Sequence, residues 1–264
     1  MQPRPLNLKS VRRVTRPSRR TFERLARAGE PLVIEGALAH WPAIGRWSPE
    51  DLRTRIGALR VKTYVIPRGQ VLLDQKTGFR FEEMSVADYV EHVLSGESPS
   101  YYLRAPLEVF PQALRDELGV PEYCQGAVRL KRNVWFSAPG TVSRLHFDLP
   151  HNLIAQVHGR KEFVLYPFRE RPNLYPFSVL SSTPHLSHAD LEAPDLRAFP
   201  RLAEARGWRC ELGEGDLLFM PSRTWHHAVS LGASITVNFW WPPLAILPLS
   251  LLSDGYKRVR GLNI

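Results

Sequence analysis

The stretch SRLHFDLPHN, residues 143–152, sets His146 and Asp148 two positions apart in an otherwise largely apolar run. In a strand, residues i and i+2 project to one face and the residue between them points away. The spacing predicts that His146 and Asp148 point together into the interior of a sheet, with Phe147 on the opposite side. An imidazole nitrogen and a carboxylate oxygen on one face can take two adjacent positions on a metal ion. With a second histidine they would complete a facial triad that leaves positions open, a donor set suited to non-haem Fe(II).

The third donor must come from a different strand. Residues 220–231, MPSRTWHHAVSL, carry adjacent His226 and His227, and alternation lets only one of them face inward. With His226 inward, the next inward residues are Ala228 and Ser230, small enough to leave room for a ligand, while Val229 and Leu231 pack outside. That pattern favours His226. His-x-Asp by itself is a short motif, and His151, His158, His185 and His188 lie in the same half of the chain. The pairing gains force because the second histidine falls in a second apolar strand region.

Around these segments the period is that of a β protein. Val128–Phe136, Asn152–Val157, Glu162–Tyr166, Asp216–Met220 and Ser234–Trp240 read as strands, joined by turns at Pro139-Gly140, His158-Gly159 and Gly213–Gly215. Short strands with such turns predict an antiparallel sandwich or barrel. Trp225 and the run Phe239-Trp240-Trp241 read as packing residues of that barrel. The N-terminal half is mixed. Ser18 and Ser85 are helix caps before Ser18–Ala28 and Ser85–Leu94, and Ser48-Pro49 opens a helix to Ile56. Pro31–Ile34 suits a buried strand, and Leu107–Leu118 reads as at least partly helical. The expected organisation is a mixed α/β region over 1–126 wrapped on a β core over 127–243, with a tail over 244–264.

The chain has 264 residues, 44% hydrophobic and 23% charged, enough for one large domain with a substantial core. Cys124 and Cys210 are far apart and make no CxxC pair, which argues against a thiolate zinc site or a disulfide framework and suits a reducing, cytoplasmic setting. No secretory signal is visible, and no membrane association is expected. The apolar run Pro242–Leu252 is too short to span a bilayer and is broken by Pro248. A formal charge of +9 favours acidic partners, among them acidic peptides and RNA.

Residues 140–167, GTVSRLHFDLPHNLIAQVHGRKEFVLYP, resemble the cupin-like JmjC family of 2-oxoglutarate oxygenases. They are especially similar to the branch containing the asparaginyl hydroxylase that inhibits hypoxia-inducible factor. Residues 213–241, GEGDLLFMPSRTWHHAVSLGASITVNFWW, resemble the family's second signature, and PLVIEGALAHWPAIGRWSPEDL resembles its N-terminal segment. Together the matches run from about Val11 to Trp241.

The resemblance implies a double-stranded β-helix of the cupin or jelly-roll kind, with a metal at its open end. It assigns His146, Asp148 and His226 as Fe(II) ligands and catalytic residues, with 2-oxoglutarate and O2 as cosubstrates. It implies that Lys161 binds the distal carboxylate of 2-oxoglutarate, helped by Ser143 and Tyr102, with Asn152 and Asn238 beside the cosubstrate. Read from the residues alone, Lys161 between Arg160 and Glu162 reads as a solvated hairpin lysine, and the two asparagines could be structural. Arg104 stands where the hydroxylase branch has a substrate-contacting glutamine. Arg104 and Arg144 are the candidate substrate residues, and with Arg129, Lys131 and Arg160 they would make the cleft basic.

The implied activity is hydroxylation of an amino-acid side chain of a protein or peptide, with release of succinate and CO2. Hydroxylation of a tRNA nucleoside is the alternative supported by charge. N-methyl-lysine demethylation ranks lower, since no zinc motif or reader module accompanies the matches. From a different class, the barrel could be a non-catalytic metal-binding scaffold. The tail PPLAILPLSLLSDGYKRVRGLNI is expected to be helical and to cap the barrel or make a homodimer contact.

Overall fold

The computed structural model describes residues 7–66, 69–71, 80–97, 99–181 and 183–248. Strands β1 (Asn7–Ser10) and β2 (Arg12–Thr15), helix α1 (Arg19–Ala26), β3 (Leu32–Glu35), α2 (Pro49–Ile56) and β4 (Arg60–Val65) open the chain. β5 (Gln70–Val71), β6 (Phe81–Ser85), α3 (Val86–Leu94), β7 (Tyr101–Pro106) and α4 (Gln112–Arg115) follow. The second half is β8 (Lys131–Ser137), β9 (Val142–Phe147), β10 (His151–His158), β11 (Lys161–Tyr166), β12 (Arg206–Leu212), β13 (Leu217–Met220), β14 (Trp225–Ser230) and β15 (Ser234–Trp241).

These strands make two facing sheets. One has the order β1-β12-β11-β14-β9-β5, the other β2-β3-β13-β10-β15-β8-β7-β4-β6. From β8 onward the chain passes back and forth between them, so that β12-β11-β14-β9 faces β13-β10-β15-β8, each antiparallel. This is the double-stranded β-helix that the resemblance implies. Strands of the N-terminal half extend the same two sheets rather than forming a layer of their own.

Alternation sorts the side chains into three apolar layers. Ile154, Phe163, Leu165, Leu218, Met220 and Ala228 fill the space between the sheets. Leu153, Ala155, Val134, Phe136, Val237 and Phe239 point the other way, onto a core with Phe22, Trp47, Leu52, Tyr89 and Val90 from the helical side. Leu145, Val164, Tyr166 and Trp225 cover the outer face of the smaller sheet beneath Leu174, Ala189, Leu191 and Leu202.

The helices start where the caps place them. Ser18, Ser48 and Ser85 each accept a backbone N–H of the first turn, and Asp88 completes a reciprocal capping box with Ser85. Two expected elements are shorter than their sequence suggests. The helix over Leu107–Leu118 is cut by Pro111: Phe110 before it is extended, with a one-turn 3-10 helix at Leu107–Val109 on one side and α4 on the other. The strand expected from Val128 begins at Lys131, because Arg129 has φ 57°, a left-handed conformation that no ladder accommodates. Most of the C-terminal tail lies outside the described residues. Its described start is a 3-10 turn at Leu244–Ile246.

Gly159 makes the turn from β10 into β11 with φ +69°, and a Cβ there would overlap the Ala233 carbonyl. Gly159→Ala is therefore expected to destabilise the fold by about 2 kcal/mol from the left-handed φ and the overlap together. For a chain of this size that corresponds to a Tm lower by about 5 °C in a thermal melt. An unchanged Tm would show that the turn relaxes freely.

Candidate metal and cosubstrate site

β9 and β14 lie side by side with His146 directly opposite His226. Asp148 follows the last residue of β9, and its backbone oxygen accepts the Arg223 N–H at 2.8 Å, which ties the end of β9 to the turn before β14. One donor atom from each of His146, Asp148 and His226 lies within 4.8 Å of the other two. The imidazole centroids are 4.1 Å apart, and His226 Nε2 is 3.9 Å from Asp148 Oδ2.

Both imidazoles are oriented in the same way. His146 Nδ1 lies 2.6 Å from the Arg144 carbonyl, and His226 Nδ1 lies 3.0 Å from the Thr224 carbonyl. A carbonyl only accepts, so each Nδ1 carries a proton and Nε2 is the atom turned to the metal position. Burial, with His146 beside it, pushes the His226 pKa down, which keeps the ring neutral as a metal ligand must be. For Asp148, burial works against ionisation, but His226, His146, Arg104 and His185 outweigh it and hold the carboxyl below its usual range. Two imidazoles and a carboxylate around an open centre fit a divalent first-row metal.

His227 points to the other face. It is 1% exposed, and its Nε2 lies 2.9 Å from Glu192 Oε1 in the segment that covers the smaller sheet. The inward series His226, Ala228 is the one read from the sequence, with Trp225 outward in the covering layer.

Lys161 opens β11 opposite Ser230 and is 5% exposed. It is not a solvated hairpin lysine. Its alternation partners Phe163 and Leu165 face the space between the sheets, and so does Lys161. Burial alone lowers its pKa to about 7, with no charged neighbour contributing. Tyr102 lies beside it, with Nζ 5.8 Å from the ring centroid, and Tyr102 is hydrogen-bonded to the Ser143 side chain. A buried lysine without a counter-ion is costly, and an anion in the adjoining space would remove that cost.

Strict alternation would turn Ser143 away from His146. The ladder does otherwise: His146 pairs with His226 but Ser143 pairs with Ala228, so β9 spends three steps where β14 spends two. This β-bulge at Arg144–Leu145 brings Ser143 and His146 to the same face. Nothing in the sequence announces it.

Asn152 and Asn238 are both buried on inward positions of β10 and β15, and Asn152 Oδ1 has no hydrogen-bond partner among the described residues. Arg104 faces the same interior from β7, 4.8 Å over the Trp135 ring and 5.4 Å from the Trp240 ring. Trp240 is turned to the same interior, where it packs edge to face on Trp135, whereas Phe239 and Trp241 pack on the outer core. Arg144 turns from the bulge towards the His188 carbonyl, at 3.5 Å. Arg160 is paired with Glu211 at 2.8 Å on the surface. Trp135 was not singled out by the sequence. Its inward position follows once Val134 and Phe136 are known to face the outer core.

Among the described residues no helix is long and apolar enough to cross a membrane. Cys124 and Cys210 are both buried and free.

Known proteins place the chain among relatives. A family model described as "Cupin-like domain" matches residues 18–245. Lysine-specific demethylase JMJ30 of Arabidopsis thaliana is 33% identical over 219 residues, 81% of this chain and 50% of the relative. Bifunctional peptidase and (3S)-lysyl hydroxylase JMJD7 of Homo sapiens is 29% identical over 270 residues, 88% of this chain and 84% of the relative. tRNA wybutosine-synthesizing protein 5 of Danio rerio is 27% identical over 219 residues, 76% of this chain and 65% of the relative. The chain spans about half the length of the demethylase relatives it matches. These relatives do not single out the asparaginyl hydroxylase branch. With the family match over most of its length, the chain belongs to the cupin-like JmjC family of 2-oxoglutarate oxygenases.

Proposed function

We propose that the chain is an Fe(II)- and 2-oxoglutarate-dependent oxygenase that hydroxylates an amino-acid side chain of a protein or peptide. The observation that carries this reading is the pairing of two features in one barrel. His146, Asp148 and His226 bring one donor atom each within 4.8 Å of one another, and a buried Lys161 with no counter-ion among the described residues lies further along the same interior.

In this reading His146, Asp148 and His226 hold the iron, and Lys161, Tyr102 and Ser143 hold the distal carboxylate of 2-oxoglutarate. When bound, iron and 2-oxoglutarate supply the oxidation: O2 and 2-oxoglutarate give succinate and CO2, and one oxygen atom enters a substrate C–H bond. The chain supplies position. The Arg144 and Thr224 carbonyls fix the two rings, and Asp148 neutralises part of the metal charge. Ala228, between His226 and the Lys161 level of the ladder, leaves the space open. Asn152 and Asn238 offer amides to the cosubstrate. The apolar layer of Phe163, Leu165 and Met220 keeps water from the far side.

Succinate release is the test, measured with Fe(II) and 2-oxoglutarate on a peptide pool and then on bulk tRNA. Peptide-stimulated succinate with a +16 Da product supports the reading. Stimulation by tRNA alone would reassign the substrate to RNA, the reading that the +9 charge and the tRNA-modifying relative favour. Fe(II) binding with no turnover of 2-oxoglutarate would reduce the protein to a metal-binding scaffold.

A further inference from the structure

The mouth of the barrel carries an excess of hydrogen-bond donors. Arg104 on β7 lies opposite Trp135 on β8, and its neighbours Leu103 and Ala105 point to the outer core, so Arg104 points inward. Its guanidinium lies 4.8 Å from the Trp135 centroid and 5.4 Å from that of Trp240, and the two indoles stand edge to face at 6.1 Å. One arm donates to the Tyr64 hydroxyl at 3.1 Å. Arg104 Nε, Trp135 Nε1 and Trp240 Nε1 are all buried, and none has a hydrogen-bond partner among the described residues. Arg104 shares the inward face of β7 with Tyr102, which is hydrogen-bonded to Ser143 on the strand that carries His146.

Buried donors without acceptors are rare in folded proteins, and three in one small region call for an acceptor from outside. Asp148 does not fill that role once its oxygens are engaged by a metal. The guanidinium carries a positive charge and a buried Nε–H with no acceptor among the described residues, which suits a carboxylate oxygen. An ammonium would meet the like charge of Arg104 and the two indole N–H donors there.

We propose that the side chain oxidised at this site carries a carboxylate, held by Arg104 with the Trp135 and Trp240 N–H groups, and that a lysyl side chain is excluded. The inference rests on the oxygenase reading and narrows its substrate class. It sets this chain apart from relatives whose names refer to lysine.

The test measures proximity to the metal rather than turnover. The full chain is loaded anaerobically with Mn(II) and 2-oxoglutarate. The paramagnetic relaxation of three probes is then compared: the N-acetyl, N′-methylamide derivatives of aspartate, asparagine and lysine, at equal concentration. The aspartate probe is expected to relax about tenfold more than the other two. In Arg104→Gln the aspartate-to-asparagine ratio should fall to about one, and in Arg104→Glu the lysine probe should lead. Ratios are taken within each variant, so a general loss of affinity cancels. Equal relaxation of the three probes in the wild type, a lysine preference, or a ratio that Arg104→Gln does not change overturns the substrate class. So does bulk tRNA binding through Arg104 while the aspartate probe is ignored. If Mn(II) itself does not bind, the oxygenase reading fails and this inference falls with it.

Discussion

Asp148→Ala is expected to leave a folded protein that no longer forms succinate, with turnover lowered at least about 1000-fold, more than about 4 kcal/mol on the barrier. Asp148 is the only carboxylate among the described residues grouped with His146 and His226. Its removal leaves two imidazoles without the anionic donor, a poor cradle for Fe(II). The fold should survive because Asp148 sits just past the end of β9 and contributes its backbone oxygen, not its side chain, to the tie with Arg223. His146→Ala should do the same to activity. Succinate formation by either variant at the wild-type rate would reject the assignment of the triad.

Lys161→Met is expected to move activity and stability in opposite directions. Losing a charge-assisted contact of about 1.5–3 kcal/mol should raise the apparent KM for 2-oxoglutarate about 10- to 100-fold. The apo protein should meanwhile melt no lower than the wild type, since a buried cation with no counter-ion among the described residues has been replaced by an apolar chain of similar length. The pH dependence follows from the same lysine. Burial lowers its pKa to about 7, whereas the unfolded chain keeps the ordinary value of 10.5. Below about pH 7 both states are protonated and the burial penalty is present in full. Between about 7 and 10.5 the unfolded chain binds more protons, so the lysine's destabilising effect fades as pH rises. The distal carboxylate needs the ammonium form, so 2-oxoglutarate affinity should be greatest below about pH 7 and fall up to about tenfold per pH unit above it. Affinity titrations of wild type and Lys161→Met across that range check both signs. A Lys161→Met variant with unchanged KM would show that a different group binds the carboxylate.

The meeting of His146, Asp148 and His226 was legible because it rests on strand alternation. His146 and Asp148 are two apart, and the small residue at Ala228 marks which of two adjacent histidines faces in. The caps at Ser18, Ser48 and Ser85 were equally legible, being local chemistry. What alternation could not give was the bulge at Arg144–Leu145, where one extra residue reverses the facing of Ser143. Nor could it give the burial of Lys161, which depends on β12 and β14 closing on either side of β11. The His227–Glu192 contact spans 35 residues and had no local signal.

The account stands on His146, Asp148 and His226 gripping one metal ion. Iron-edge X-ray absorption on the anaerobic 1:1 Fe(II) complex tests this most directly. The prediction is a first shell of nitrogen and oxygen with the outer-shell signature of two imidazoles, one of which disappears in His226→Ala. A spectrum with one imidazole or none in the wild type, or one that His226→Ala leaves unchanged, would contradict it.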